Sequence, residues 1–548
     1  MDNEKRQTDS ASTRSVEIHQ EKSIHSNGEY STSSVSSMES QGPELKRTLK
    51  ARHLAMISLG GVIGQGLFLS AGANLNAAGP AGALIAYAII GFIVFWVTFS
   101  LGEMATYIPV SGSFTVFCRR FVDKSFGAMI GYNYWACWAF IVASELTALP
   151  LVMSFWTDKV PDWAWSGIWL VIIYILNLFG ARSYGEAEYW FSVIKIVAVL
   201  VFIIVGCVTS GGLIGKDTPH QVFGFKFWND PGAFSNGALG VVNAFVLASF
   251  SMQGTEIVGI TAGECENPLK QVPRAIKNVF WRIIVFYLGS VFVMGMIIRY
   301  DDPRNLSESS SVTVSPFTIV FEEAGLGAVA HIMNAVILIT VLSCANSGMY
   351  VSSRTLCALA NEGIAHHKLA HITKRGVPLY ALTCTALVSL VTFATSFIPG
   401  KALFLVLTKL SGVAGFVTWF GICFAHYRFR KAIKYHGRSV DELPIKAPFH
   451  PFGDLFGMIA CVVIALMAGY SYFVPPSAVG LIGNYAGLIL CVLGFIVTKL
   501  WTKSKMIPIA EIDIDTGRSD FTFEANQKEE ISGPWYTRAW KRFVYIVT

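Results

Sequence analysis

Two short stretches of the chain combine glycine with polar residues in a pattern that suits the binding of a small zwitterion. The first, Gly60–Gly66, reads GGVIGQG and holds four glycines in seven residues. The second, Ser249–Glu256, reads SFSMQGTE and ends in a carboxylate. Because each glycine weakens a helix by about 1 kcal/mol relative to alanine, the first stretch favours local unwinding. Unwound backbone exposes N–H groups that attract a carboxylate and carbonyl groups that accept from an ammonium.

Backbone groups on both stretches are the candidate ligands for such a zwitterion. We expect the N–H groups of Gly64, Gln65 and Gly66 to meet its carboxylate, and carbonyls near Val62 and Phe250 to meet its ammonium. The first stretch is not a phosphate loop, since no strand precedes it and no Lys-Ser/Thr pair follows it. Taken alone, its GxxxG spacing is also typical of closely packed membrane helices, which is the alternative interpretation.

Two ionisable residues lie inside otherwise apolar stretches. Glu256 closes the second stretch, and Lys195 interrupts the apolar run 193–208. An unpaired charge in a membrane span costs several kcal/mol, so each residue implies either a function or a partner. We expect Glu256 to link substrate occupancy to gating, unless it only holds its helix in place through a hydrogen bond or ion pair. If the chain proves to be a transporter, Lys195 either couples transport to a proton gradient or joins two helices as a fixed cation.

The elements that carry these residues are predicted to be membrane-spanning helices. Hydrophobic residues make up 53% of the chain and charged residues only 14%, against about a quarter charged in soluble domains. The apolar residues form runs of roughly 15 to 20, which suffice to cross a hydrocarbon core about 30 Å thick. We therefore predict an all-α polytopic membrane protein of about twelve spans. The predicted spans are 53–75, 80–107, 126–156, 163–180, 188–210, 238–261, 279–299, 326–358, 379–398, 402–425, 453–474 and 478–500.

The two unusual stretches fall in the first and sixth spans, five spans apart. Paired interruptions at corresponding positions of two halves are typical of transporters built from inverted repeats with broken helices. The predicted organisation is a disordered cytosolic tail (1–50), a permease domain (51–501) and a second cytosolic tail (502–548). Lys and Arg concentrate before span one and after the even-numbered spans, which predicts that both termini are cytosolic. This bias accounts for the net charge of +6, so no nucleic-acid partner is indicated.

Several kinds of chemistry find no support in the sequence. The ten cysteines are scattered singly without a CxxC pair, so neither a disulfide framework nor a zinc site is predicted. His366, His367 and His371 fall in a predicted cytosolic loop and are better interpreted as solvated than as metal ligands. No convergent set of His, Ser and Asp is recognisable. We therefore predict no enzyme activity, no metal and no cofactor.

Several motifs, in order along the chain, resemble the fungal amino-acid permeases of the amino acid–polyamine–organocation superfamily. The motifs are ISLGGVIGQGLFLSAG (57–72), GEMATYIPVSGSF (102–114), YGEAEYWFSVIKI (184–196), QGTEIVGITAGECENPLKQVPRAIKNVFWRI (253–283) and SGVAGFVTW (411–419). Within that family the chain is most similar to the arginine and lysine permeases. The likeness runs from about Lys46 to Leu500.

The resemblance implies a leucine-transporter-like fold, with two inverted repeats of five helices followed by two more helices. It also implies proton-coupled import of cationic amino acids at the plasma membrane, with an L-amino acid, protons and the lipid bilayer as the partners. By position, the substrate contacts would be Val62, Gly64, Gln65, Gly66, Cys137, Phe250, Gln253, Gly254, Thr255, Glu256 and Ser411. The coupling or gating residues would be Lys195, Glu256 and Glu264. In this family the lysine matched by Lys195 occupies the place of a sodium ion in sodium-coupled relatives.

Two residues depart from the family pattern and leave the substrate open. Gln65 replaces the threonine of the usual GTG, and Lys409 stands where cationic permeases carry a neutral residue such as asparagine. Either Lys409 points away from the substrate and pairs with a carboxylate such as Glu145, or the permease prefers neutral or acidic amino acids. We expect the first. A sensor of the same fold, which would signal without moving substrate, is a further alternative.

Overall fold

The computed structural model describes residues 51–518 except 62, 111, 158, 218–219, 263–264, 266, 305–314, 471–472, 474–475 and 477. The predicted tail 1–50 and residues 519–548 of the second tail lie outside this part. Apart from isolated bridge residues, Cys265 and the pair Phe473 and Pro476, the regular structure of the described residues is helical.

The helices are numbered here in chain order. They are α1 (Ala51–Met56), α2 (Gln65–Phe68), α3 (Ser70–Tyr107), α4 (Phe114–Phe121), α5 (Lys124–Met153), α6 (Asp162–Asn177), α7 (Ala181–Ser210), α8 (Gly237–Met252), α9 (Ile257–Ala262), α10 (Pro268–Trp281), α11 (Gly289–Ile297), α12 (Pro316–Glu323), α13 (Gly327–Asn361), α14 (Leu379–Ser389), α15 (Gly400–Tyr435), α16 (Phe452–Met467) and α17 (Ala478–Thr502). π-helical turns span Ile57–Gly61, Trp228–Gly232 and Arg282–Leu288, and 3-10 turns span His367–Ala370, Leu390–Ser396, Val440–Glu442 and Ile509–Glu511.

Nine apolar helical stretches of the described residues are long enough to cross a membrane. They involve α3, α5, α7, α8 with α9, α10 with α11, α13, α14 with its 3-10 extension, α15 and α17. The helices α6 and α16 are apolar but shorter. With the broken first segment, these elements correspond to the predicted spans, and the prediction of a polytopic helical membrane protein is confirmed.

Both predicted helix breaks are present. The first helical segment ends at Gly61, Gly64 is extended (φ −128°, ψ −160°), and α2 begins at the next residue. The second break follows α8: Gln253 is extended (φ −60°, ψ 152°), and Gly254 has a φ of 92°. Because that φ lies in the left-handed region, glycine is the residue that fits it without strain. The backbone therefore leaves the helix at both sites where the sequence predicted unwinding.

Predicted spans one and two are separate helical segments, as the sequence suggested. The stretch α3 contains the end of the first and all of the second, and non-helical backbone at Gly79 (φ 76°, ψ 173°), followed by Pro80, divides the two. Proline cannot continue the hydrogen-bond ladder, and a kink leaves neighbouring backbone groups without helical partners. The Ala81 N–H instead donates to the Ala233 carbonyl at 2.9 Å, in the loop before α8.

The packing brings equivalent helices of the two halves together. The two broken segments open the halves, and α5 and α13, the third spans of each half, pack against one another along their lengths. α3 packs along α8, and α15 packs against α5, α16 and α17. This order, five spans, five spans and two more, is the leucine-transporter-like architecture that the resemblance implied.

Large apolar side chains cover the outer faces of several helices. Trp190 and Ile204 on α7, and Leu490 and Val497 on α17, are each more than half exposed. Contiguous apolar surface of this kind is unusual on a water-soluble protein, whereas lipid tails accommodate it without cost. We interpret these faces as the lipid-contacting surface of a multi-pass protein.

Candidate binding site at the two helix breaks

A small cavity lies where the two breaks meet α5 and α13. Its lining residues are Gly64, Gly66, Trp138, Ile141, Glu145, Phe250, Ser251, Gln253 and Cys344. Four of the predicted substrate contacts are therefore in its wall: Gly64, Gly66, Phe250 and Gln253. The cavity volume is about 20 Å³, which is enough for one water molecule. An amino acid fits only when the surrounding helices move apart, so the structure corresponds to a closed state of the cavity.

Two glycines let the backbone of the first break come into direct contact with the neighbouring helices α8 and α13. A Cβ atom at position 66 would lie 2.5 Å from the Ser251 Cα, and one at position 64 would lie 2.7 Å from the Cys344 Sγ. Both distances are shorter than a carbon atom tolerates. Gly64 and Gly66 thus allow the first break to contact α8 and α13 and close the cavity.

The Gln65 side chain points away from this cavity. Its Nε2 donates to the Ser144 Oγ of α5 at 2.9 Å, and the side chain is fully buried. Its backbone N–H faces the carboxylate of Glu145. The threonine position where this chain departs from the family pattern is therefore a contact between helices, while the backbone lies next to the cavity wall. Val62 and Glu264 lie outside the described residues.

Cys137 and Ser411 lie behind Gln253 rather than in the cavity wall. The Gln253 Nε2 donates to the Ser411 carbonyl at 2.6 Å, and the Cys137 thiol lies 3.5 Å from the Gln253 Oε1. The Ser411 Oγ has no hydrogen-bond partner in the described part of the chain. These two residues orient the Gln253 amide, which itself lines the cavity.

Glu256 caps the second break. Its carboxylate accepts from the Gly254 N–H (3.1 Å), from the Thr255 hydroxyl (3.2 Å) and from the Trp419 indole N–H (3.3 Å). Gly254, Thr255 and Glu256 are all buried but do not line the cavity. The hydrogen bonds satisfy donors that the break would otherwise leave unpaired. The gating role of Glu256 stays a prediction.

Lys195 connects α7 to the first broken segment. Its Nζ donates to the Gly60 carbonyl at 3.2 Å and lies 3.3 Å from the Glu188 Oε1. Both side chains are fully buried. A Cβ at position 60 would lie 2.6 Å from the Ser192 Cβ, so glycine also permits this close contact. Lys195 thus has both a partner and a position at the unwound region.

The sequence of the whole membrane region matches one protein family. Residues 53–508 match the family described as "Amino acid permease".

The chain belongs to the amino acid permease family.

Individual relatives support the same conclusion over most of their length. The chain is 42% identical to the "Lysine-specific permease LysP" of Escherichia coli, over 85% of this chain and 94% of the relative. It is 41% identical to the "Lysine-specific permease" of Saccharomyces cerevisiae, over 90% of this chain and 82% of the relative. The "Histidine permease HisP" of Lactococcus lactis is 41% identical, over 87% of this chain and 99% of the relative.

The cavity of this permease contains a carboxylate that the sequence analysis did not place there. Glu145 is buried at the cavity wall, and its Oε2 has no hydrogen-bond partner among the described residues. Sequence reasoning considered Glu145 as a partner for Lys409 and, with Glu256, as a source of negative potential for a cationic substrate, but did not include it among the site residues. Glu145 could have been recognised from the sequence as Glu256 was, because it is an acidic residue within an otherwise apolar span.

A buried ion cluster lies elsewhere in the permease, where α3, α15 and α16 meet. His426, His450 and Asp454 bring potential metal-ligand atoms within 4.8 Å of one another. However, the His426 Nδ1 lies 2.8 Å from Asp454 and its Nε2 lies 3.1 Å from Glu103. Since both ring nitrogens already face carboxylates, we interpret this cluster as a hydrogen-bonded ionic contact between helices.

Proposed function

We propose that this permease imports cationic amino acids, lysine and arginine, together with protons across the plasma membrane. The observation that carries the proposal is the unpartnered carboxylate oxygen of Glu145 at the cavity. A buried carboxylate without a full set of partners favours a cationic ligand, because the cation restores the interactions that burial removes. The lysine-specific permeases among the relatives support the same class of side chain.

The backbone of the substrate is proposed to bind between the two breaks. Donors at the start of a helix have no acceptor within the helix. Gln65 and Gly66 begin α2. The Gly66 N–H is therefore available to the substrate carboxylate, and the Gln65 N–H, which faces Glu145 in the structure, would have to turn from that carboxylate to the substrate. The carbonyl groups released near Phe250 and Gln253, together with Val62, would accept from the α-ammonium. This arrangement leaves Glu145 to meet a positively charged side chain.

Proton coupling is proposed to depend on Lys195. The protonated amine donates to the Gly60 carbonyl, whereas the neutral amine would hold that carbonyl less strongly. Loss of the proton therefore loosens the first segment from α7. The distribution of Lys and Arg supports cytosolic termini, and the proton and the substrate are proposed to enter together from outside. Glu264, outside the described residues, remains a proposed gating residue.

Uptake of labelled lysine by the purified chain in proteoliposomes tests the proposal. We expect uptake to be saturable, to increase when the outside is made acidic and to collapse with a protonophore. We also expect unlabelled arginine to compete more strongly than neutral or acidic amino acids. Absence of any substrate movement would favour a sensor, and preferential competition by neutral or acidic amino acids would contradict the cationic class.

Replacing Glu256 with glutamine tests the gating role. The amide keeps the shape but cannot accept from all three donors, which leaves at least one donor unpaired, at a cost of about 1–3 kcal/mol. We expect the initial rate of lysine uptake to fall at least about tenfold while the amount in the membrane is unchanged. Glu186→Gln, an exposed site on α7, is the matched control. A Glu256→Gln protein that transports at the normal rate would contradict this role.

Replacing Lys409 with asparagine tests the remaining departure from the family pattern. Lys409 is half-buried on α15, and its pairing with Glu145 stays a prediction. If Lys409 points away from the substrate, Lys409→Asn leaves the order of competing amino acids unchanged and lowers the amount of folded protein. Two like charges about 5 Å apart at an effective dielectric of about 20 repel by roughly 3 kcal/mol. A change from neutral or acidic uptake toward lysine would therefore show that Lys409 faces the substrate.

A further inference from the structure

Glu188 is a fully buried carboxylate that the sequence analysis did not consider. It lies on α7 two helical turns before Lys195, on the same face of the helix, as a spacing of seven residues requires. Its carboxylate accepts from the Lys195 ammonium at 3.3 Å. From α13 it accepts the Ser343 hydroxyl, which lies 2.8 Å from each oxygen, and the Ser347 hydroxyl at 3.2 Å.

We infer that Glu188 is the group that receives the proton of Lys195 during transport. This inference rests on the proposed proton coupling and names its next step. The N–H bond of the Lys195 ammonium breaks and an O–H bond forms on the Glu188 Oε1, which gives a neutral amine and a neutral carboxylic acid. No net charge moves into or out of the pair. Because burial penalises two separate ions more than two neutral groups, the transfer is accessible in this dry environment.

The hydroxyl groups around Glu188 fit both states of the pair. In the structure both serine hydroxyls donate, as an ionised carboxylate requires. A hydroxyl can also rotate and accept, so either serine can take the hydrogen bond of the protonated acid. The Ser347 Oγ lies 3.0 Å from the Tyr184 hydroxyl, one turn of α7 closer to its first residue. Hydroxyls therefore continue from Glu188 toward the end of α7 that the charge distribution assigns to the cytosol.

Other charged and titratable groups face this pair from the neighbouring helices. Glu145 of α5 and Cys344 of α13 lie on the cavity side of Lys195. On the other side, the Tyr184 ring stacks on Tyr350 at 3.8 Å, and the Arg354 guanidinium lies 3.5 Å from the centre of the Tyr350 ring. Lys195 thus interacts with two buried carboxylates, Glu145 at the cavity wall and its ion-pair partner Glu188.

The test separates substrate movement from proton-driven accumulation. The full chain is reconstituted with Glu188→Gln and, as the matched control, with Glu186→Gln, two residues away on the exposed face. If one proton enters with each substrate, an external pH two units below the internal pH supports about a hundredfold accumulation of substrate. Measured per folded transporter, we expect Glu188→Gln to retain exchange of internal for external lysine but to lose this accumulation. Glu186→Gln should keep both.

A spectroscopic measurement keeps the inference testable if Glu188→Gln does not fold. Infrared difference spectra between the lysine-bound and the lysine-free protein, at one pH, should show a carboxylic-acid carbonyl band whose frequency shifts in Glu188→Asp. Full accumulation in Glu188→Gln, or a spectrum unchanged in Glu188→Asp, would overturn the role of Glu188. Wild-type protein that moves lysine without any response to the pH gradient would instead overturn the proton coupling itself.

Discussion

Lys195→Ala is expected to abolish the accumulation of substrate against a gradient. The substitution removes the donor to the Gly60 carbonyl and leaves the buried Glu188 without its cation. Removing one partner of a buried ion pair destabilises a protein by about 3–5 kcal/mol. We therefore expect less folded protein, and no accumulation by the fraction that reaches the membrane. The measurement is steady-state lysine accumulation per folded transporter, at several external pH values.

A double substitution separates the coupling role of Lys195 from its contribution to stability. In Lys195→Ala with Glu188→Ala no charge is left unpaired, so the amount of folded protein should recover relative to the single variant. Accumulation should remain absent, since the proton-binding pair is gone. Accumulation that stays intact and pH-dependent in Lys195→Ala would contradict both the coupling role and the role of a fixed cation.

Glu145→Gln is expected to weaken the binding of cationic substrates selectively. The change keeps the shape of the cavity wall and removes the charge that we propose meets the substrate side chain. Interactions with a charged group contribute about 1.5–3 kcal/mol, so the apparent affinity for lysine should fall roughly 10- to 100-fold. Inhibition constants for lysine and for a neutral amino acid of similar length measure the selectivity. An unchanged ratio of the two inhibition constants would show that Glu145 does not bind the charged side chain of the substrate. Glu186→Gln is again the control.

The sequence was sufficient for features that depend on local composition. Apolar run length predicted the spans, and the glycines of Gly60–Gly66 predicted the first break, because a helix is weakened locally by these residues. The break after α8 followed from its polar stretch. The sequence also predicted the boundary between spans one and two that Gly79 forms. It did not identify the contact there, because the Ala233 carbonyl that accepts from the Ala81 N–H is distant in sequence.

The remaining site residues depend on contacts that only folding creates. Glu188 and Ser343 are 155 residues apart and meet because α7 packs on α13. Trp138 and Cys344 line the cavity, but each lies in an apolar stretch where the same residue type could equally face lipid. The pattern of a single sequence distinguishes a buried helix from a loop far better than it shows which face of that helix lines a cavity.

The kink at Gly79 joins the two broken segments mechanically. Besides the hydrogen bond from the Ala81 N–H to the Ala233 carbonyl, the Ser235 N–H donates to the Ala78 carbonyl at 3.0 Å. The two backbone segments are in contact here, since a Cβ at position 79 would lie 2.6 Å from the Ser235 nitrogen. The start of α3 and the loop that leads into α8 are therefore held together by backbone hydrogen bonds. Because α3 continues the first broken segment and the loop leads into the second, we expect the two breaks to shift together relative to α5 and α13 when the cavity opens.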